Sequence, residues 1–124
     1  MEGAPKEVGS FDCAYCNKLE SLNYAPKKVD GFFNCSNCKN LKNLKGAPEK
    51  INGMFDCMGL EQIKDLTGAP KEVGSMDCSE CSNLKSLKGM PDVVKGNFTG
   101  YNCGFDKNKV WDFIHSKVQG RISL

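Results

Sequence analysis

GAPKEVGSMDCSECSNLKSLK, residues 68–88, is one of five blocks of the same kind, and that repetition decides the architecture. Pro5, Pro26, Pro48, Pro70 and Pro91 open the blocks at spacings of 21, 22, 22 and 21 residues. Read by position, the apolar columns are Val8, Val29, Ile51, Val73 and Val94, then Phe11, Phe33, Phe55, Met76 and Phe98. Two more follow: Leu19, Leu41, Ile63 and Leu84, then Leu22, Leu44, Leu66 and Leu87. Identity drifts within a column while hydrophobicity holds. A unit this short cannot bury its own apolar face, so the copies must stack and share one continuous core.

Within each block the step from Phe11 to Cys13 has period two, and the steps to Cys16, Leu19 and Leu22 have period three. A short strand therefore gives way to a tighter arc. Gly and Asn around positions 9, 31, 53, 74 and 96 are expected to supply turns, and the Ala-Pro step favours extended or polyproline-like backbone. The expected fold is a β-solenoid over residues 1–104, with about five coils of 21–22 residues. Its parallel strands would lie about 4.8 Å apart. Residues 105–124 are expected to form a cap: DKNKVWDFIHSKVQG reads as a helix with Asp106 or Asn108 as N-cap and Gly120 past its end. Val110, Phe113, Ile114 and Val118 would form its covering face, with Trp111 beside them, and Ile122 and Leu124 would add a closing strand.

Composition sets outer bounds. The 124 residues suffice for one domain. Seventeen Lys and Arg against fifteen Asp and Glu leave a formal charge of +2, so the total carries no strong bias toward polyanions or membranes. No apolar run approaches the roughly 18 residues that span a bilayer, and MEGAPKEV lacks the apolar stretch of a signal peptide. A cytoplasmic location is expected.

The segments FDCAYCNKL, FNCSNCKNL, MDCSECSNL and, more loosely, FDCMGLEQI resemble the leucine-rich repeat signature in its Cys-containing variant. The wording GAPKEVG resembles the short leucine-rich-like repeat proteins of tailed bacteriophages and bacteria. That resemblance, which covers residues 1 to about 104, implies a horseshoe-type solenoid and a binding role. It also implies a phage-encoded inhibitor whose partner is a bacterial host or defence protein.

Cys13, Cys16, Cys35 and Cys38 spell two CxxC pairs separated by eighteen residues, a spacing compatible with structural zinc. The repeat argues against that reading. Cys57 is followed by Leu60 where the second Cys belongs, and Gly100 replaces the first Cys before Cys103. Metal ligands do not exchange for Leu or Gly, whereas small buried hydrophobes do. The cysteines are expected to be buried thiols, the second of each pair a weak donor to backbone at the turn, with no cofactor. Equivalent Cβ vectors on stacked coils are poorly directed for disulfides, and a thioredoxin-type site would need a helix after the first Cys.

Residues alternating with the core column should point outward. The first such column is Ser10, Phe32, Met54, Ser75 and Asn97; the second is Asp12, Asn34, Asp56, Asp77 and Thr99; the third is Ala14, Ser36, Met58, Ser79 and Tyr101. Phe32, Met54 and Met58 form the expected apolar patch, with Tyr15 and Tyr101 toward its ends and the acidic strip at its flank. Such a face suits a protein partner that brings Lys or Arg. Lys42, Lys64 and Lys85, with Lys45 and Lys88, make a separate basic ridge that lacks the aromatics and Arg of a base reader. The runner-up reading, a zinc-containing nucleic-acid-binding protein, would use that ridge and the CxxC pairs. His115 has no neighbouring triad or metal set, and no nucleophile, phosphate-binding or dinucleotide motif appears, so no enzymatic activity is expected. The N-terminal edge begins mid-repeat, with Met1 in the Leu22 phase, and is expected to be open to self-association or a target.

Overall fold

The structure, a computed structural model, describes residues 7–23 and 25–124. Each block begins extended at its Val position and is extended again at its Phe position. This gives β1 (Glu7–Val8), β2 (Phe11–Asp12), β3 (Lys28–Val29) and β4 (Phe33–Asn34) in the first two coils. In the third and fourth coils the two pieces fuse into β5 (Lys50–Asp56) and β6 (Glu72–Asp77). The fifth coil contributes β7 (Val93–Val94) and β8 (Phe98–Thr99), followed by α1 (Lys107–His115) and β9 (Ile122–Ser123).

Every pairing among these strands is parallel. The described strands form a nine-stranded sheet with β1, β3, β5, β6, β8 and β9 in spatial order. Its register runs Phe11, Phe33, Phe55, Met76, Phe98 and Ile122, so the expected column is in place as a ladder of rungs. The molecule is therefore a parallel β-solenoid of about five turns with one short C-terminal helix. Core side chains at the Val, Phe and Leu positions of the inner turns are almost wholly buried. Each contributes roughly 1.5–3 kcal/mol of apolar transfer, set against the entropy of ordering the chain. The Phe11 ring stacks on Phe33 at 5.3 Å, and Phe33 meets Phe55 at 6.0 Å.

Three local expectations need correction. The glycines at 53 and 74 are not turns: β5 and β6 run through them. They are small because the preceding coil's backbone lies against them, and the pairing slips there by one residue, Ile51 facing Val73 but Met54 facing Ser75. That bulge is the physical origin of the 21-residue spacings, since the first and fourth blocks have one residue fewer between Val and Phe. The second concerns Val118, which lies beyond the end of α1 and leads into the expected closing strand instead of belonging to the helix's covering face. Val118 bridges Val94 and Ile122 pairs with Phe98, so VQGRIS at 118–123 repeats VKGNFT at 94–99 as a sixth rung. The third is Phe113, which stays 45% exposed while Val110 and Ile114 are buried. As expected, Asp106 caps α1, its carboxylate accepting from the Asn108 N–H at 2.9 Å. Met1 and the start of the N-terminal edge lie outside the described residues.

Candidate functional site

The sheet face is built from the outward columns, and backbone chemistry already engages most of them. In the second column the carboxylate or carboxamide folds back onto its own chain. Asp12 accepts from the Ala14 N–H at 2.9 Å, Asn34 from Ser36 at 2.9 Å, Asp56 from Met58 at 3.1 Å and Asp77 from Ser79 at 2.9 Å. These are Asx turns that bend the strand into the arc, and the interchange of Asp with Asn in one column was the signal for them. The turn is completed by a left-handed residue one position further, at Tyr15 (φ 60°), Asn37 (φ 59°), Gly59 (φ 67°), Glu80 (φ 62°) and Asn102 (φ 56°). Asp56 and Asp77 stand in register on neighbouring strands. Burial pushes the Asp56 carboxyl above its usual range, the Met58 N–H opposes that, and Asp77 and Asp12 add to the upward push.

In the first column Ser10 and Ser75 belong to the two short coils. Each hydroxyl accepts at 3.2 Å from the next coil, Ser10 from the Phe32 N–H and Ser75 from the Asn97 N–H. Asn97 in turn accepts from the Arg121 N–H at 2.8 Å. Phe32 and Met54 remain as the apolar members, 44% and 42% exposed on adjacent rungs. The third column is less open than its alternation implies: Ser36 and Ser79 are buried, Met58 is half-buried, and Ser79 accepts from the Tyr101 N–H at 3.0 Å. Tyr15 and Tyr101 are 72% and 49% exposed. The structure thus brings Phe32 and Met54 together beside Asp12, Asn34, Asp56 and Asp77. It leaves Tyr15 and Tyr101 at the first and fifth coils. Trp111, also exposed, lies on α1 with its ring 6.3 Å from His115.

The cysteines form an internal ladder. The second thiol of a coil donates to the carbonyl of the first cysteine one coil back, Cys38 to Cys13 at 3.0 Å, Cys81 to Cys57 at 3.3 Å and Cys103 to Cys78 at 3.1 Å. Cys16 occupies the same position in the first coil and is exposed. The four cysteines of the two CxxC pairs are therefore split between a buried column and a turn column. Among the described residues no group of three or more His, Cys, Asp or Glu has a metal-holding disposition. Burial pushes the Cys13 and Cys81 thiols up to about 12 and drives Cys35 and Cys57 well above the ordinary thiol range. Cys103 goes the other way: a hydrogen bond from the Cys78 thiol lowers it, and the same bond raises Cys78.

Alkylation should read this ladder directly. A short pulse of iodoacetamide on the folded protein near neutral pH is expected to label Cys16 and Cys103 first. Cys35 and Cys57 should react only on unfolding, because the thiolate is the reactive form. Mass-spectrometric mapping checks it, and early labelling of Cys57 would contradict the stacked core.

The lysine ridge is also as spaced. Lys42, Lys64 and Lys85 and, beside them, Lys45 and Lys88 are exposed and lie on successive coils. No helix among the described residues is long and apolar enough to cross a membrane. Comparison with protein-family models, with curated proteins and with solved structures finds no match to this chain.

Proposed function

We propose that this chain is a non-catalytic protein-interaction module whose contact surface is the sheet face around Phe32 and Met54. The observation that supports it most is the exposure of these two large apolar side chains on adjacent rungs, where the other members of their column are Ser or Asn bonded to backbone. A tightly packed solenoid has no structural need for them there. The carboxylates of Asp12, Asp56 and Asp77 flank the patch, each with one oxygen engaged in its turn and the other left to meet a cation. Tyr15 adds to the case: a bulky residue in left-handed backbone is uncommon, and this one is mostly exposed. The partner class is a protein surface with an apolar centre and Lys or Arg at its edge.

The narrower reading, an inhibitor of a bacterial host or defence protein, rests on the resemblance of the repeat wording to phage and bacterial repeat proteins. Self-association is a second use of the same kind of module, at the outer edge of β1 and β2, which among the described strands pair only inward. A tagged pull-down from nuclease-treated bacterial lysate tests the main reading. One stoichiometric protein is expected, and the Phe32→Ser, Met54→Ser double variant should lose about 2 kcal/mol or more of its binding free energy, roughly thirtyfold in affinity. Both sites are exposed, so thermal stability should hardly change. Retention of the partner by the double variant would refute this surface, and a catch that disappears with nuclease would point to the lysine ridge.

A further inference from the structure

An open groove of about 370 Å³ lies where the turn of the fourth coil meets the capping helix. Leu87, Val110 and Phe113 supply its apolar wall, and Lys85, Lys88 and Lys109 stand around it. Two observations distinguish it from an ordinary crease. Phe113 falls on the side of α1 expected to cover the coil, yet it remains 45% exposed at this groove, with the Lys117 Nζ 5.3 Å from its ring centroid, instead of completing the core. The second is charge. Four lysines elsewhere are matched to carboxylates: Lys39 to Glu61 at 3.8 Å, Lys50 and Lys95 to Glu72 at 3.1 and 3.5 Å, and Lys117 to Asp92 at 3.9 Å. Among the described residues Lys85, Lys88 and Lys109 form no ion pair, as is also true of Lys42, Lys45 and Lys64, and only at this groove do three such lysines gather around one apolar wall.

The acidic groups nearby do not neutralise the rim. Asp65, within electrostatic reach of Lys88 and Lys45, already accepts from the Thr67 N–H at 2.9 Å. Asp106 is occupied as the N-cap of α1, and Asp112 is exposed on the next turn of that helix. Three lysines around an apolar wall form a site for a group that is anionic at its edges and apolar at its centre. Lys64 and Lys42 continue the positive charge along the preceding coils, at one rung spacing of about 4.8 Å each. An extended anionic chain entering the groove thus meets a cation at successive rungs.

We propose that this groove docks a short acidic peptide segment of a partner protein, with one apolar side chain seated against Leu87, Val110 and Phe113 and flanking carboxylates on Lys85, Lys88 and Lys109. A polyphosphate backbone fits less well, because it gains nothing from the apolar wall, and the ridge offers no Arg or interleaved aromatics for bases. The site uses none of the residues of the Phe32 and Met54 face. It therefore stands or falls separately from the function proposed above.

Fluorescence anisotropy with three labelled peptides tests it on the intact chain. The first carries one leucine flanked on each side by glutamates, the second has serine for the leucine, and the third has lysines for the glutamates. A labelled oligothymidine of matched charge serves as the fourth probe. The glutamate–leucine peptide is expected to bind, with the serine version weaker and the lysine version not binding. Lys85→Glu combined with Lys109→Glu should weaken it about tenfold or more, as loss of rim complementarity plus like-charge repulsion implies. Phe113→Ala should weaken it too, and because Phe113 is half exposed the fold should survive, which the melting curve verifies. Should Phe113→Ala unfold the chain, the lysine pair still decides. No binding by the first peptide, equal binding by the serine version, indifference to the lysine variants, or tighter binding of oligothymidine would each overturn the proposal.

Discussion

Truncation of Phe55 to alanine is expected to lower the unfolding free energy by about 3–5 kcal/mol, the range for removing a fully buried aromatic side chain. The ring is wholly buried and sits on the middle rungs, in register with Phe33 on one side and Met76 on the other. A void there removes contacts at two interfaces between coils. In a solenoid, where each turn is stabilised chiefly by its neighbours, that divides the stack near its centre. Since domains of this size have about 5–15 kcal/mol in total, the variant should approach half-unfolded behaviour in mild denaturant. Phe11 provides the contrast. It belongs to the same column but is only half-buried and, among the described rings, stacks on Phe33, so Phe11→Ala should cost appreciably less. Urea unfolding of both variants, compared by midpoint and slope, checks the ordering; equal losses would mean that the rungs do not stack as described.

The second large effect is expected at Gly74. A Cβ there would lie 2.1 Å from the carbonyl oxygen of Asn52 and 2.8 Å from that of Gly53. Both contacts are to backbone in the middle of the sheet, so neither can swing aside. Gly74→Ala should therefore cost about 1–3 kcal/mol or more, as overpacking does when the neighbours cannot move. Gly9 is the equivalent residue of the other short coil, and no described atom lies within 4 Å of the Cβ it would carry. Gly9→Ala should be near neutral, or slightly stabilising through the lost freedom of the unfolded chain. Matched thermal melts of the two variants separate a packing constraint from a general intolerance of alanine in the glycine column.

The architecture was legible because a 22-residue unit repeats its core positions without exception at the Val and Phe columns. The spacing of Pro5, Pro26, Pro48, Pro70 and Pro91 alone implied stacking, and the outward columns followed from alternation. Polar geometry was harder to see. Asp12, Asp56 and Asp77 read as a free acidic strip, yet each spends one oxygen on the N–H two residues along. Only the presence of Asn34 in the same column hinted that an acceptor, and not a charge, was being conserved from coil to coil. The sixth rung was hidden by its spacing. With α1 in place of an ordinary arc, Val118 follows Val94 at 24 residues, outside the 21–22 period. The groove at Phe113 could not be read at all, because it exists only where α1 packs beside a turn some twenty residues earlier in the chain.

The direction of the inter-coil bonds has a consequence for synthesis. Cys13 donates its N–H to the Asn34 carbonyl, Cys35 to Asp56, Cys57 to Asp77 and Cys78 to Thr99. Along this Phe-to-Cys stretch each coil's donors are thus satisfied by groups that leave the ribosome roughly twenty residues later, whereas at the Val and Gly positions the later coil donates, as Gly53 does to Gly31 and Lys95 to Val73. For the fifth coil those donors still face water until residues 117–124 appear, when Val94, Phe98 and Gly100 find the carbonyls of Lys117, Arg121 and Ser123. Residues 117–124 thus do for the fifth coil what each coil does for the one before it, and until they arrive its exposed edge is a sheet still able to accept another strand.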